Sequence, residues 1–154
     1  RPFDGEGVRG EKMTMIEDGV LKHWFLSTSA ARELGLETNG RGVRGGTSVS
    51  PASTNLALEP GDLSPEDLLG QVGSGFYVTE LIGHGANMIT GEYSCGASGF
   101  WIENGEKTFP VSEVTIASNL KDMFMRITPA NDIDRKYGIA APTLAIEGMT
   151  IAGK

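Results

Sequence analysis

Hydrophobic and polar residues alternate along short stretches of this chain, and glycine-containing turns separate the stretches. Asp18-Gly19 and Asn104-Gly105 each lie between two such stretches. Both dipeptides suit a two-residue hairpin, because its two central residues need positive φ. The pattern therefore predicts β-hairpins that turn at these two positions. Further short strands are predicted at residues 55–59, 76–82, 115–117, 143–146 and 149–151.

Three segments carry the signals of short helices. Residues 27–34 are predicted to form a helix that Ser27 or Ser29 can cap, and Gly35 follows where a terminating glycine belongs. Ser64-Pro65 places a cap and a proline at a helix start, with acidic residues in the first turn. Residues 118–127 have a helical period, with one apolar face formed by Leu120, Met123, Phe124 and Ile127.

These elements predict a mainly β fold of the α+β class, with an antiparallel sheet, barrel-like or sandwich-like, and a few short helices. Residues 37–55 are rich in Gly, Ser, Thr and Asn and are predicted to form a polar loop. Trp24 and Trp101 are expected in the core, because aromatic burial contributes strongly to core stability.

Composition narrows the class of protein. The 154 residues fit one domain, 1–154. The net charge of −7 argues against direct nucleic-acid binding, which needs clustered Lys and Arg. No apolar run is long enough to predict a membrane span, and a single cysteine gives no sign of secretion, so we expect a cytoplasmic protein. Because the chain begins Arg1-Pro-Phe without a Met, we expect a fragment of a longer protein.

The residues with reactive side chains do not form a recognisable catalytic or metal site. His84 could be a base or a metal ligand, but a metal needs three or four ligands, and no second ligand lies at a suitable spacing. Cys95 has no nameable partner base, which favours a small buried thiol. His23 is interpreted as an exposed or partly packed strand residue. We expect no catalytic residue and no metal ligand in this chain.

The candidate functional region is the glycine-dense stretch between Gly83 and Gly99. Glycines allow another backbone to come close, and the polar residues between them could bind it. The candidate residues for a substrate-facing or partner-facing loop are Gly83, His84, Gly85, Asn87, Thr90 and Gly96. For Asn87 and Thr90 the alternative is self-capping of the turn, which these residue types often do.

Eight strings together resemble the C-terminal region of the TldD/PmbA family, also called modulators of DNA gyrase, and are closer to its PmbA (TldE) branch. They extend in order over nearly the whole chain: Pro2-Phe-Asp-Gly-Glu-Gly-Val8, Val78-Thr-Glu-Leu-Ile-Gly-His-Gly85, Gly91-Glu-Tyr-Ser94, Gly99-Phe-Trp-Ile-Glu-Asn-Gly105, Pro110-Val-Ser-Glu-Val-Thr-Ile116, Asn119-Leu-Lys-Asp-Met123, Asn131-Asp-Ile133 and Glu147-Gly-Met-Thr-Ile-Ala-Gly153.

The resemblance implies a non-catalytic subunit domain in a zinc metalloprotease complex that acts on unfolded peptides. In the family, TldD-like subunits carry a His-Glu-x-x-x-His helix upstream and a cysteine ligand after the Asn-Asp segment. Here Tyr137-Gly-Ile-Ala-Ala-Pro142 contains no cysteine, so zinc is expected only in a TldD-like partner. The expected partners are that subunit, as a heterodimer, or a second copy, and an unfolded peptide. Strand addition to a sheet edge would make peptide binding tolerant of sequence.

Two other functions stay open. The first is a metallopeptidase in its own right, with ligands in a missing N-terminal part, so the sequence does not settle whether the protein is an enzyme. The second is a regulator of DNA gyrase that acts by binding protein.

Overall fold

The computed structural model describes residues 2–153, and strands dominate that range. The helices are α1 (Thr28–Glu33), α2 (Pro65–Gly70) and α3 (Leu120–Met125). The strands are β1 (Ile16–Glu17), β2 (Val20–Leu21), β3 (Gly42–Gly45), β4 (Ser48–Pro51), β5 (Leu56–Ala57), β6 (Ser74–Ile82), β7 (Glu92–Glu103), β8 (Glu106–Asn119), β9 (Ile127–Pro129), β10 (Ile139–Ala140), β11 (Leu144–Ile146) and β12 (Thr150–Ala152).

The two earlier helices begin at the predicted caps. The side chain of Ser27 accepts a hydrogen bond from Ala30 N (3.3 Å), and that of Ser64 accepts one from Asp67 N (3.0 Å). Capping of this kind satisfies a backbone donor that a helix start leaves free. No helix within residues 2–153 is long and apolar enough to cross a membrane.

The predicted helix over residues 118–127 is wrong at both ends. Ser118 and Asn119 belong to β8, where they pair with Tyr93 and Glu92 of β7. Pairing along a long neighbouring strand therefore outweighs the local helical period. Within the shorter α3, Met123 is buried, whereas Phe124 is 68% exposed and is not part of a buried face.

The chain divides into two compact units. The first unit comprises the described residues up to 57 together with 136–139. Its β1–β2 hairpin turns at Asp18-Gly19, with φ of 51° and 77°, which confirms that prediction. The prediction of a loop over residues 37–55 is wrong, because β3 and β4 pair there as a second hairpin. Only Val43 and Val49 mark those strands as apolar, too little for an alternation to be recognised.

The carboxylate of Asp4 joins separate parts of the first unit. Its Oδ1 accepts hydrogen bonds from the main-chain N–H groups of Glu6 and Val8, both at 2.9 Å, and its Oδ2 accepts one from Gly42 at 2.8 Å. The carboxylate of Glu6 accepts a hydrogen bond from Thr28 N at 2.7 Å. Two acidic side chains therefore connect the N-terminal segment to β3 and to the start of α1.

Trp24 is not a core residue. Its side chain is 60% exposed, although the side chain of Asn39 donates a hydrogen bond to its carbonyl oxygen at 2.8 Å. Strand β2 ends at Leu21, before Trp24. Trp101, in β7, is half-buried. Aromatic character predicts a preference for burial, but burial also requires a neighbouring surface, which the sequence did not identify.

The second unit comprises residues 58–135 and 140–154, and is described to residue 153. Its main sheet is antiparallel, with the strand order β12-β8-β7-β6. The buried cluster on this sheet consists of Cys95, Ala97, Val114 and Ile116. Strands β9 and β11 form a separate antiparallel pair. The mainly β, α+β prediction is confirmed, and no sheet within the described range closes into a barrel.

A side chain at the second position of the turn between β7 and β8 should destabilise the protein. Gly105 has a φ of 80°, and a Cβ there would lie 2.8 Å from Gly70 Cα. Replacing Gly105 by Ala is expected to cost about 1–3 kcal/mol of unfolding free energy, measured by urea denaturation. Gly73→Ala is the matched control, because a Cβ on Gly73 meets nothing within 4 Å. Equal stability of the two variants would contradict this account of the turn.

The Asp4 carboxylate should make stability depend on acid pH. Burial alone would raise the pKa of Asp4, but the hydrogen bonds from Gly42, Val8 and Glu6, with the nearby Arg41 charge, outweigh burial and hold the pKa below 3.8. A folded-state pKa that is lowered adds stability above the unfolded-state pKa, and this stability is lost as the pH falls through the folded-state value.

Asp4→Asn should therefore destabilise the protein at pH 7 by on the order of 1 kcal/mol, since it removes a charged acceptor that remains partly solvated. The difference in urea midpoint between the wild type and this variant should shrink from pH 5 towards pH 3. A difference that stays constant over this range would show that the charge on Asp4 does not contribute.

Candidate functional site: the β6–β7 loop

The glycine-dense stretch is shorter as a loop than the sequence predicted. Residues 83–91 lie between β6 and β7, but Glu92 to Gly99 form the first part of β7. The prediction of a loop up to Gly99 is therefore wrong for residues 92–99. The glycines obscured a strand that pairs with β6 on one side and with β8 on the other.

Close packing within the sheet accounts for two of these glycines. A Cβ on Gly85 would lie 2.6 Å from Ser94 O and 2.9 Å from Cys95 Cβ. A Cβ on Gly99 would overlap the carbonyl oxygen of Tyr77 in β6. The main chain that comes close to these two glycines belongs to neighbouring strands of the same sheet. At these two positions the sheet itself requires glycine.

The turn at residues 87–91 is held by its own hydrogen bonds. The side-chain oxygen of Asn87 accepts from Ile89 N (3.0 Å) and Thr90 N (3.2 Å). Two main-chain hydrogen bonds add to these: Asn87 N donates to Glu92 O, and Gly91 N donates to Asn87 O, both at 2.8 Å. The hydroxyl of Thr90 donates to the Glu92 carboxylate at 3.3 Å. Asn87 and Thr90 therefore use their side chains to stabilise their own turn, which is the self-capping alternative given in the sequence analysis.

Helix α3 supports the loop from outside. The side-chain amide of Asn119 donates to Thr90 O at 3.3 Å, and Leu120 N donates to Gly91 O at 2.7 Å. The same Asn119 caps α3 by accepting from Lys121 N at 3.0 Å. One side chain therefore fixes both the start of the helix and the end of the loop.

The tip of this turn presents two apolar side chains to solvent. Met88 is 83% exposed and Ile89 is 96% exposed. We call these two residues the apolar pair. The sequence reading concentrated on the polar residues and glycines and missed them, although two consecutive aliphatic residues inside a polar turn were a usable signal. Phe124 and Met125, at the end of α3, are also exposed, at 68% and 77%.

Cys95 is a buried thiol, which confirms the sequence interpretation. It is 5% exposed, and its Sγ donates to Ile82 O at 3.2 Å. This contact ties β7 to the point where the loop leaves β6. Burial raises the pKa of the Tyr93 phenol, and the neighbouring Cys95 raises this pKa further.

His84 is exposed, and no hydrogen bond to its ring is found among the described residues. His23, which was expected on a strand, lies beyond the end of β2, and its Nδ1 is 2.7 Å from Thr14 O. Within residues 2–153, no three His, Cys, Asp or Glu side chains are grouped so that they could hold a metal ion. The loop therefore offers a protein surface that is shaped by its own hydrogen bonds.

Comparison with known proteins shows the family of this domain. The family model described as the PmbA/TldA metallopeptidase C-terminal domain matches residues 1–153. Metalloprotease PmbA of Escherichia coli O157:H7 is 46% identical over 154 residues, which cover 99% of this chain and 32% of that protein. The chain belongs to the PmbA/TldD metallopeptidase family, as its C-terminal region, and it spans about a third of the length of the curated relatives it matches.

Solved structures agree with this assignment. TldE from Thermococcus kodakarensis superposes with a TM-score of 0.88 at 27% identity, covering 99% of this chain and 36% of that one. A Thermotoga maritima protein, described as a candidate modulator of a DNA gyrase, gives a TM-score of 0.87 at 37% identity, covering 99% of this chain and 35% of that one.

The described residues do not fit a zinc site, although the family is named for metallopeptidases. His23 and His84 are not grouped with other possible ligands, and Cys95 is buried against main-chain oxygens. We expect dialysed protein to contain well under one zinc ion per chain, since a stable site needs about four ligands. Elemental analysis measures this, with His84→Ala and Cys95→Ser as controls. One tightly bound zinc that either substitution removes would show that the ligands lie here.

Proposed function

We propose that this chain is a domain of a non-catalytic subunit in a TldD/TldE-type zinc metalloprotease complex that acts on unfolded peptides. The proposal is supported by the similarity to PmbA and TldE proteins over nearly the whole chain. The observation that carries it is the apolar pair, which a hydrogen-bonded turn holds almost completely exposed.

A fixed, exposed apolar pair has the physical properties of an interface anchor. Burying aliphatic surface in a partner is favourable, by about 25 cal/mol per Å². The turn is ordered before binding, so little main-chain entropy is lost when the two side chains enter a pocket, and the entropic cost is largely that of their rotamers. Free in solution, Met88 and Ile89 contribute no core packing, because they are the two most exposed of the large hydrophobic residues in the described chain.

In this proposal the TldD-like subunit supplies the zinc and performs the hydrolysis. In this division of roles, the residues described here contact the partner subunit and take no part in cleaving the peptide bond. The alternative of a metallopeptidase in its own right requires ligands in the part of the longer relatives that this chain does not cover. Zinc content and peptidase activity of the full-length protein without its partner separate the two functions.

The second alternative is regulation of DNA gyrase by protein binding. The net charge of −7 leaves this possibility open, because it argues only against direct contact with DNA. No feature of the described surface favours gyrase over a protease subunit as the partner.

The apolar pair gives a direct test of the partner interface. Ile89→Asp is expected to weaken assembly with the TldD-like subunit by about tenfold or more, because a charge would have to be buried in an apolar contact. Affinity is measured by titration with the purified partner. Ile139→Asp is the matched control, since Ile139 is also exposed, at 74%, but lies outside the loop. Equal affinity of the two variants would rule out the loop as the interface.

The polar candidates of the loop are tested in the same reconstituted complex. His84→Ala and Asn87→Ala subunits, each first shown to be folded, are assayed for degradation of an unfolded protein. Asn87→Ala should lower the rate because it releases the turn that presents the apolar pair. If both variants assemble and degrade the substrate at the wild-type rate, these two side chains have no part in the working surface.

A further inference from the structure

A small cavity in the first unit is lined largely by basic side chains. Its volume is about 280 Å³, and all of its lining residues belong to that unit. They are Arg9, Glu11, Lys12, Met13, His23 and Asn39. Three of these six can carry a positive charge and one a negative charge, although the whole chain has 20 acidic residues against 13 Lys and Arg. The cavity is therefore a local concentration of positive charge in an acidic protein.

The two long cationic side chains at this cavity are not neutralised by the protein. Within the part of the chain that the structure describes, Arg9 and Lys12 form no ion pair, and no hydrogen bond to either side chain is found. Glu11 lines the same cavity but pairs with neither of them. By contrast, the ammonium group of Lys22 lies 3.4 Å from the carboxylate of Glu17. Arg9 and Lys12 are therefore available to an anion from solution.

The third basic group, the imidazole of His23, is oriented by a hydrogen bond on one side. Its Nδ1 lies 2.7 Å from Thr14 O, and a carbonyl oxygen can only accept, so Nδ1 carries the proton of this bond. Among the described residues Nε2 has no hydrogen-bond partner, which leaves it as the ring nitrogen for a ligand. When the ring is protonated, Nε2 becomes a donor beside the two cations.

The wall of the cavity is held in place by further hydrogen bonds. The side chain of Asn39 accepts from Leu26 N at 3.0 Å and donates to Trp24 O at 2.8 Å. The guanidinium of Arg41 donates to the carbonyl oxygens of Glu11 and Asn39, and so connects the two segments that line the cavity. Arg41 also adds positive charge behind the wall. An anion would therefore meet a surface that is ordered before it binds, which lowers the entropic cost of binding.

We infer that this cavity binds a single phosphoryl group, carried by inorganic phosphate or by a small phosphomonoester. Arg and Lys are side chains that proteins use to bind phosphate, and a dianion gains more from several cations than a carboxylate does. The cavity is slightly smaller than the range of about 300–1,000 Å³ that holds drug-sized ligands, so it suits one small anion. A nucleic-acid backbone would need a row of cations instead. This site lies outside the β6–β7 loop and does not depend on the proposed function.

The two histidines of the chain allow phosphate binding to be located as well as measured. The purified protein, without a partner, is titrated with sodium phosphate at constant pH and ionic strength, and the imidazole C–H signals are followed by proton NMR. His23→Gln and His84→Ala assign the two signals. The His23 signal should shift saturably with a Kd on the order of 1 mM, because the cations are partly solvated. The signal of His84, in the second unit, should stay unchanged and is the internal reference.

Substitutions separate the cavity from the general charge of the protein. Arg9→Gln and Lys12→Gln should each weaken phosphate binding by about tenfold, because each removes a charged donor. Both side chains are exposed, so these variants are expected to fold. Arg32→Gln is the matched control, since it makes the same change in net charge at an exposed residue of the first unit that does not line the cavity. It should change the affinity by less than about twofold.

Parallel titrations with methyl phosphate and acetate identify the chemistry of the ligand. Binding of inorganic phosphate alone would assign the cavity to the free anion, and binding of methyl phosphate as well would assign it to a phosphomonoester. The inference is overturned if the His23 signal shows no saturable shift, if acetate binds more tightly than phosphate, or if all three substitutions weaken binding equally.

Discussion

Strand β7 is the element on which the second unit depends, because it pairs along both of its edges. It pairs with β6 on one side and β8 on the other over most of its twelve residues. Its buried positions alternate at Cys95, Ala97 and Gly99, as expected for a strand with one face packed in a core. The turn at Asn104-Gly105 follows one end of β7, and the candidate loop precedes the other. The candidate loop is therefore positioned by the pairing of a single strand.

The pairing of β7 is irregular on both sides, because its register shifts against β6 and against β8. The register shifts between Val78 and Glu80 on the β6 side, where the hydroxyl of Thr79 donates to Ser98 O at 3.1 Å. On the β8 side the register shifts opposite Ser98, and Glu113 adopts a φ of 58°, which is uncommon for a residue with a side chain. Bulges on both neighbours meet at one position of the central strand. Bulges generally increase the local twist of a sheet.

The sequence correctly predicted the elements that are determined by residues close to one another in the chain. Asp18-Gly19 and Asn104-Gly105 favour their turns through local backbone preference, and Ser27 and Ser64 cap their helices through contacts only three residues away. The sequence failed where the cause is a distant neighbour. Gly99 is required by Tyr77, and the end of β8 at Asn119 is set by its pairing with Glu92.

In the candidate site, too, local features were predictable from the sequence, whereas features that depend on distant residues were not. The sequence predicted a loop after β6, and Asn87 was recognised as a residue able to cap its own turn. Met88 and Ile89 were visible as two apolar residues inside a polar turn, but apolar residues ordinarily predict burial, and only the finished turn shows that nothing covers them. Similarly, β6 was predicted as a strand, but its place at the edge of the sheet follows from the order of all four strands.

In the proposed complex the apolar pair would select its partner by shape. A hydrogen-bonded turn holds Met88 and Ile89 almost completely exposed, so a partner would need a pocket that matches both side chains. A charge at either position would have to be buried in that pocket, which explains why one substitution is expected to weaken assembly. The polar atoms of Asn87 are already used within the turn, so specificity in this proposal comes from the shape of the apolar contact.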